Sequence, residues 1–174
     1  LPDCQSDPVE AVSVNTLGLV NVLENARRTG VKHVIQASTN AMYENETEFP
    51  TVESKFNPPT LIYPNTKYCG ERFCQSFADT YGMNITCLRF ANVYGERQGD
   101  GGEGGVISIF AKRIAQNQGI TIFGDGEQTR DFVYAGDIAT GICAALRTEQ
   151  ANTAYNLRTQ TETSLRELVN ILSN

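Results

Sequence analysis

Two short runs bound what this chain can fold into. Residues 31–37 form a short apolar, β-branched run around Val31, Val34 and Ile35, and 84–90 resemble another around Ile85, Leu88 and Phe90. Such runs suit strands buried on both faces of a sheet. Between them Tyr68, Phe73, Phe77 and Tyr81 recur at helical spacing. Pro64 opens that pattern, where its missing N–H is harmless, and Gly82 stops it. Strand, helix, strand in this order predicts a right-handed parallel crossover, and so an α/β fold. Sites in such sheets form beyond the carboxyl ends of the strands, here at Ser38-Thr39-Asn40 and at the turn Asn92-Val93-Tyr94-Gly95.

The rest of the chain fits the same scheme. Val9, Val12, Leu17, Val20, Leu23 and Ala26 predict a helix over 7–29 with one buried stripe, ended by Gly30. Residues 44–60, interrupted by Pro50, Pro58 and Pro59, read as a long surface loop. The glycine-rich stretch 99–105 is equally a mobile segment beside a site or a plain linker. A helix over 106–118, a short strand over 120–123 and a turn at Gly124-Asp125-Gly126 follow. Residues 131–134 read as extended, 137–147 as helical and 154–157 as extended. Ser164-Leu165-Arg166-Glu167 is a capping-box sequence opening a last helix.

A chain of 174 residues can bury one good core and is short for two full domains. Its net charge of -6 argues against nucleic-acid binding, which needs clustered Lys and Arg. No run approaches the roughly 18 apolar residues of a membrane span, and the first residues lack a signal-peptide layout, so a cytoplasmic location is expected. The five cysteines (4, 69, 74, 87, 143) show neither a disulfide framework nor zinc spacing and are expected to be buried thiols; no metal is expected. His33 has no metal or nucleophile partner in view and reads as structural.

Tyr63 and Lys67 stand four apart, on one face of the predicted helix, about 5–6 Å apart at Cβ. A tyrosine alone titrates near 10, too high for a base at neutral pH. An adjacent ammonium favours the phenolate, and a hydroxyl donor such as Thr39 favours it further. Spacing alone leaves coincidence open.

Five motifs in register remove that ambiguity. They are Val14-Asn15-Thr16-Leu17-Gly18 with Asn21-Val22-Leu23-Glu24; Ala37-Ser38-Thr39-Asn40-Ala41-Met42-Tyr43; Tyr63 to Lys67 with Gly70-Glu71; Leu88-Arg89-Phe90-Ala91-Asn92-Val93-Tyr94-Gly95; and the run from Gly124 through Arg130 to Tyr134. Together they resemble the extended short-chain dehydrogenase/reductase family, in particular its NAD-dependent nucleotide-sugar epimerases and dehydratases, along nearly the whole chain. The resemblance implies part of a Rossmann-like, doubly wound parallel sheet plus part of a smaller C-terminal substrate lobe. Residues 1–95 would be the later half of the NAD-binding domain, and 96–174 a mixed nucleotide-sugar lobe with returning Rossmann elements.

It also implies roles. Tyr63 is the base, Lys67 tunes it and holds the nicotinamide ribose of NAD, and Thr39 hydrogen-bonds the reacting oxygen. Asn15, Ser38, Phe90 and Ala91, with Tyr63 and Lys67, are cofactor contacts. Asn92 meets the sugar diphosphate, Arg130 clamps the pyrophosphate, and Gly105, Val106, Thr121, Ile122 and Phe123 cradle the nucleotide. An arginine suits a diphosphate because its planar fork makes paired bonds, although Arg130 also has Glu127 and Asp131 as possible ion-pair partners. The expected substrate is a UDP-hexose, and a homodimer is expected through helices 7–29 and 63–81.

Departures narrow the reading. The dehydratase branch has an Asp-Glu pair where this chain has Asn40-Ala41, and neither residue is an acid or base at neutral pH. Epimerisation, an isomerase reaction, is thus favoured over dehydration, with a decarboxylase or reductase as further alternatives. Glu44 stands where glycine usually follows Tyr43. The family's Gly-x-x-Gly-x-x-Gly turn between its first strand and first helix, which receives the NAD pyrophosphate, is not found ahead of the helix over 7–29. The chain resembles the middle and later portion of an enzyme, and a noncatalytic fragment unable to hold NAD is the remaining expectation.

Overall fold

A computed structural model describes residues 2–48, 50–54, 57–99 and 105–173. In chain order the elements are α1 (Pro2–Ser6), α2 (Pro8–Val12), a wide π turn (Ser13–Leu17), α3 (Gly18–Thr29), β1 (Val34–Thr39), a 3-10 turn (Asn40–Tyr43), α4 (Ile62–Tyr81), β2 (Ile85–Phe90) and β3 (Asn92–Tyr94). Then come α5 (Val106–Ala115), β4 (Thr129–Arg130), β5 (Phe132–Tyr134), α6 (Ala135–Ala145), β6 (Ala154–Leu157), β7 (Thr163–Ser164) and α7 (Leu165–Ser173). The chain divides into two compact units, residues 1–90 with 139–157 and residues 91–138 with 158–174.

The first unit is built on a parallel sheet of order β1-β2-β6. Among the described residues β2 is the strand of this sheet with a neighbour on each side, and it is buried along nearly its whole length. β1 lies at the edge of these three and is half-buried over much of its length. It also starts three residues later than expected, because the Gly30 and Val31 N–H groups still close the preceding helix onto the Arg27 and Ala26 carbonyls. Gly30 takes the left-handed conformation such a cap requires, at φ 70°.

The predicted helix 7–29 exists but is not one continuous α-helix. Asp7 caps its start by accepting the Glu10 N–H at 2.9 Å, with Pro8 in the first turn. The π turn then inserts a residue, which rotates the downstream face by about 100°. Of the expected stripe Leu23 and Ala26 face the core, joined by Leu19, while Val9 and Val12, ahead of the turn, and Leu17 within it are exposed. Those three buried residues pack with Cys74, Met83, Ile85 and Cys87. The helix α4 likewise buries Thr66, Gly70, Glu71, Cys74 and Ala78, and leaves Phe73 and Tyr81 largely exposed. Gly70 is where α3 comes closest, since a Cβ there would stand 2.9 Å from Leu19 Cδ2.

In the second unit β3 pairs in parallel with β5, and β4 pairs antiparallel with β7. Residues 92–94, expected in a turn, are thus a strand, because their backbone is taken up by 132–134. Residues 120–123, expected as a strand, form none; this stretch leads into the turn at Gly124 and Gly126, both at φ 80°. The Arg166 Nε holds that turn through the Asp125 carbonyl at 2.7 Å. α5 packs on α7, with Phe110, Val133, Ile138 and Leu168 buried. Ser164 caps α7 by accepting the Glu167 N–H at 3.1 Å.

Cys74 and Cys87 are buried, but Cys69 and Cys143 are exposed, so the expectation of buried thiols holds for only part of the set. His33 shares a 2.9 Å hydrogen bond with Thr86. Most of the glycine-rich stretch 99–105 lies outside the described residues. Among the described residues no helix is long and apolar enough to cross a membrane.

Candidate active site

The carboxyl edge of the first unit's sheet brings several expected residues together. The register sets Thr39 beside Phe90, and Phe90 beside Leu157, at the ends of β1, β2 and β6. Thr39 is buried, and its Oγ1 accepts the Ala41 N–H at 3.1 Å, capping the 3-10 turn. The hydroxyl proton is left to donate elsewhere. Tyr63 and Lys67 occupy the first turns of α4, both half-buried. Lys67 Nζ donates to the Ala37 carbonyl at 3.3 Å and stands 5.9 Å from the centre of the Tyr63 ring. Burial lowers the Lys67 pKa below its ordinary value, because a cation loses hydration there.

Asn15 reaches the same helix turn by another route. It lies in the π turn, and its Nδ2 donates to Thr66 Oγ1 at 3.1 Å. The buried Thr66 hydroxyl in turn donates to the Tyr63 carbonyl at 2.7 Å. A π turn at a site-forming residue is a common association. Here it aims Asn15 at the Thr66 hydroxyl, which bonds the Tyr63 carbonyl.

A buried polar network adjoins this edge and was not read from the sequence. Ser38 Oγ donates to Glu71 Oε1 at 2.5 Å, so the Ser38 hydroxyl proton is committed to Glu71. Glu71 also accepts from Arg89 Nε at 3.0 Å and Nη2 at 2.7 Å. Arg89 Nη1 donates to the Tyr43 hydroxyl at 2.6 Å, and Tyr43 donates to Asn156 Oδ1 at 2.8 Å. Burial works against the Arg89 charge, but the bonds and charge of Glu71, aided by Tyr43, outweigh it and raise its pKa. Two signals in the sequence point here: an arginine inside the otherwise apolar β2, and a glutamate four residues after Lys67 on the same helix face.

Glu44 explains one departure noted above. Its carboxylate accepts the N–H groups of Thr60 and Leu61 and the Thr60 hydroxyl, immediately before α4. Burial raises its pKa, yet these bonds win and lower it. An anion at a helix start is also favoured by the helix dipole. A glycine there could not do this.

The remaining expected residues lie in the second unit. Ala91 is buried, and Asn92 opens β3, its backbone and side-chain N–H groups both directed at the Asp131 carbonyl. Gly105 is the N-cap of α5, directly before Val106, and a Cβ on it would meet Gln98 Nε2 at 2.7 Å. Thr121 is exposed, Ile122 half-buried, and Phe123 stands 83% exposed with its carbonyl bonded by Gln128. Arg130 is exposed, and its Nη1 bonds the neighbouring Thr129 carbonyl. The two alternative partners are engaged elsewhere: Glu127 pairs with Arg166 at 3.1 Å, and Asp131 accepts bonds from Thr159 and Gln160.

Comparisons with known proteins bear on the fold and the family. A protein of Methanocaldococcus jannaschii, provisionally named UDP-glucose 4-epimerase, is 41% identical over 167 residues, covering 95% of this chain and 54% of that protein. The crystal structure of UDP-glucose 4-epimerase from Thermotoga maritima with UDP-glucose superposes with a TM-score of 0.95 at 36% identity, over 98% of this chain and 56% of that one. The Thermus thermophilus UDP-glucose 4-epimerase in complex with NAD gives 0.88 at 33%, over 98% and 56%. The chain thus spans about half the length of the curated relatives it matches, and its fold is Rossmann-like. Residues 1–157 match the family described as the NAD dependent epimerase/dehydratase family, and the chain belongs to it.

Proposed function

We propose that this chain is the catalytic and substrate-binding part of an NAD-dependent nucleotide-sugar epimerase that interconverts a UDP-hexose and its 4-epimer. The observation that carries the reading is the half-buried Lys67 ammonium 5.9 Å from the Tyr63 ring at the carboxyl edge of the sheet. The ammonium favours the phenolate, so Tyr63 takes the proton of the sugar hydroxyl and later returns one to the same oxygen. Thr39, buried with its hydroxyl proton left to donate, steadies that oxygen. NAD, when bound, supplies the acceptor and then the donor of the hydride. The donor set fits it: a cation beside a phenol, with the ends of β1 and β2 near Ser38, Phe90 and Ala91 offering backbone groups. Asn15 contributes on the same side through the turn it supports.

In this reading residues 1–95 carry the later half of the cofactor domain, and 96–174 a mixed nucleotide-sugar lobe with returning Rossmann elements. Asn92 and Arg130 meet the diphosphate, and Gly105, Val106, Thr121, Ile122 and Phe123 hold the nucleotide. Arg130 suits this because neither nearby carboxylate is paired with it. The exposed apolar residues Val9, Val12, Val22, Phe73 and Tyr81 support a homodimer through 7–29 and 63–81.

The test uses the full-length protein that contains this chain. UDP-hexose should convert to its 4-epimer with no change of mass, and Tyr63→Phe should lose roughly 10²- to 10⁴-fold in rate. A loss below about tenfold sinks the proposal. A product of altered mass would instead favour a decarboxylase or a dehydratase, and Asn40 and Ala41 argue against the dehydratase.

A further inference from the structure

The Glu71–Arg89 pair lies one helical turn from Lys67 and has no part in the chemistry above. Both side chains are under a tenth exposed. The sheet register sets Ser38, Arg89 and Asn156 in one row across β1, β2 and β6. The carboxylate of Glu71, on α4, takes Ser38 and both forks of Arg89 from that row, and Arg89 reaches Asn156 through Tyr43. The three last residues of β1 then have separate duties. Ala37 accepts from Lys67, Ser38 donates to Glu71, and Thr39 carries the hydroxyl assigned to the reacting oxygen.

We propose that Glu71, with Arg89 as its counterion and Ser38 as its grip on β1, is a positioning residue that sets where Tyr63 and Lys67 stand relative to Thr39. The inference rests on the catalytic reading of Tyr63. A buried ion pair is poor evidence for stability, since well-packed apolar replacements are often neutral or better. What a paired arginine fork adds is fixed geometry. Geometry matters at this edge, because a displacement of about 1 Å at a reacting group can reduce rate about 10²-fold.

The experiment compares the full-length protein with Ser38→Ala and with the double variant Glu71→Leu/Arg89→Met, and uses Tyr63→Phe as reference. Melting temperature, KM, kcat, the pH profile of kcat and the tyrosinate absorbance assignable to Tyr63 are measured. The expected double variant melts near the parent and keeps its KM, while kcat falls about 10- to 100-fold. Its acid limb and the Tyr63 titration both move upward, because Lys67 and Thr39 are no longer held against the phenol. Ser38→Ala moves the same quantities in the same direction by less, and decides the matter if the double variant does not fold. Parental kcat and an unmoved Tyr63 titration in a folded variant overturn the positioning role. If those variants are parental while Tyr63→Phe is inactive, the positioning role alone falls. If Tyr63→Phe itself keeps its rate, the catalytic reading falls first.

Discussion

Lys67→Met tests the electrostatic core of the proposed mechanism. The ammonium stands 5.9 Å from the centre of the Tyr63 ring. With that distance to the ring taken as the charge separation and an effective permittivity of about 20, unit charges attract by about 2.8 kcal/mol, or about two pKa units. Lys67 is only half-buried, and solvent screening reduces this to about one to two units. A cation favours the charged phenolate, so the parent has the lower Tyr63 pKa and the variant the higher. The acid limb of kcat against pH should therefore move up by about one to two pH units. Below the limb the rate falls about 10- to 100-fold, and it recovers at higher pH. Lys67→Arg, which keeps the charge, should leave the limb near its parental position. Because burial already disfavours the Lys67 charge, Lys67→Met should not lower the melting temperature. The assay is UDP-hexose epimerisation by the full-length protein at saturating substrate, with NAD occupancy checked in each variant. An acid limb that stays put in Lys67→Met, with NAD still bound, refutes the reasoning.

Two further outcomes test the fold beneath the site. Leu23 is fully buried among Leu19, Ala26, Cys74, Met83, Ile85 and Cys87. Leu23→Ala should cost about 2–5 kcal/mol and lower the melting temperature by about 5–20 °C; a shift within about 2 °C would contradict the packing. Glu24 accepts bonds from Arg27 and Arg28, which hold its carboxyl at about 2, below its ordinary 4.5. A folded pKa below the unfolded one adds stability above pH 4.5 that is lost as pH falls through about 2. The melting-temperature difference between parent and Glu24→Gln should be steady above pH 4.5 and shrink below it, and a difference independent of pH would exclude the linkage. Being exposed, this pair should give a small effect.

Much of the architecture was legible because its signals are local. The β-branched runs, the glycine stops at 30 and 82, and the Ser164 cap act within a few residues of themselves, and their elements formed with shifted ends. Where the reading failed, the cause was not local. Residues 92–94 became a strand because 132–134 pair with them, and no pattern within four residues reports a partner forty positions away. Of the expected stripe Leu23 and Ala26 are buried, but after the π turn at Ser13–Leu17 Leu19 joins them, while Leu17, inside that turn, is exposed. The candidate site divides the same way. The four-residue spacing of Tyr63 and Lys67 fixes their common helix face. Glu44, far from them in sequence, caps the approach to that helix from a loop, and only the folded chain joins the two.

By itself the sequence determined the parallel α/β class, the pairing of phenol and ammonium, and the family motifs, because each depends on residue type and short spacing. The tertiary structure decided the row Ser38, Arg89 and Asn156 across the sheet and the burial that lowers the Lys67 pKa. It also decided the commitment of Ser38 to Glu71. The register of parallel strands and the depth of burial are set by packing between segments remote in sequence. A buried carboxylate finds its partners only when those segments meet.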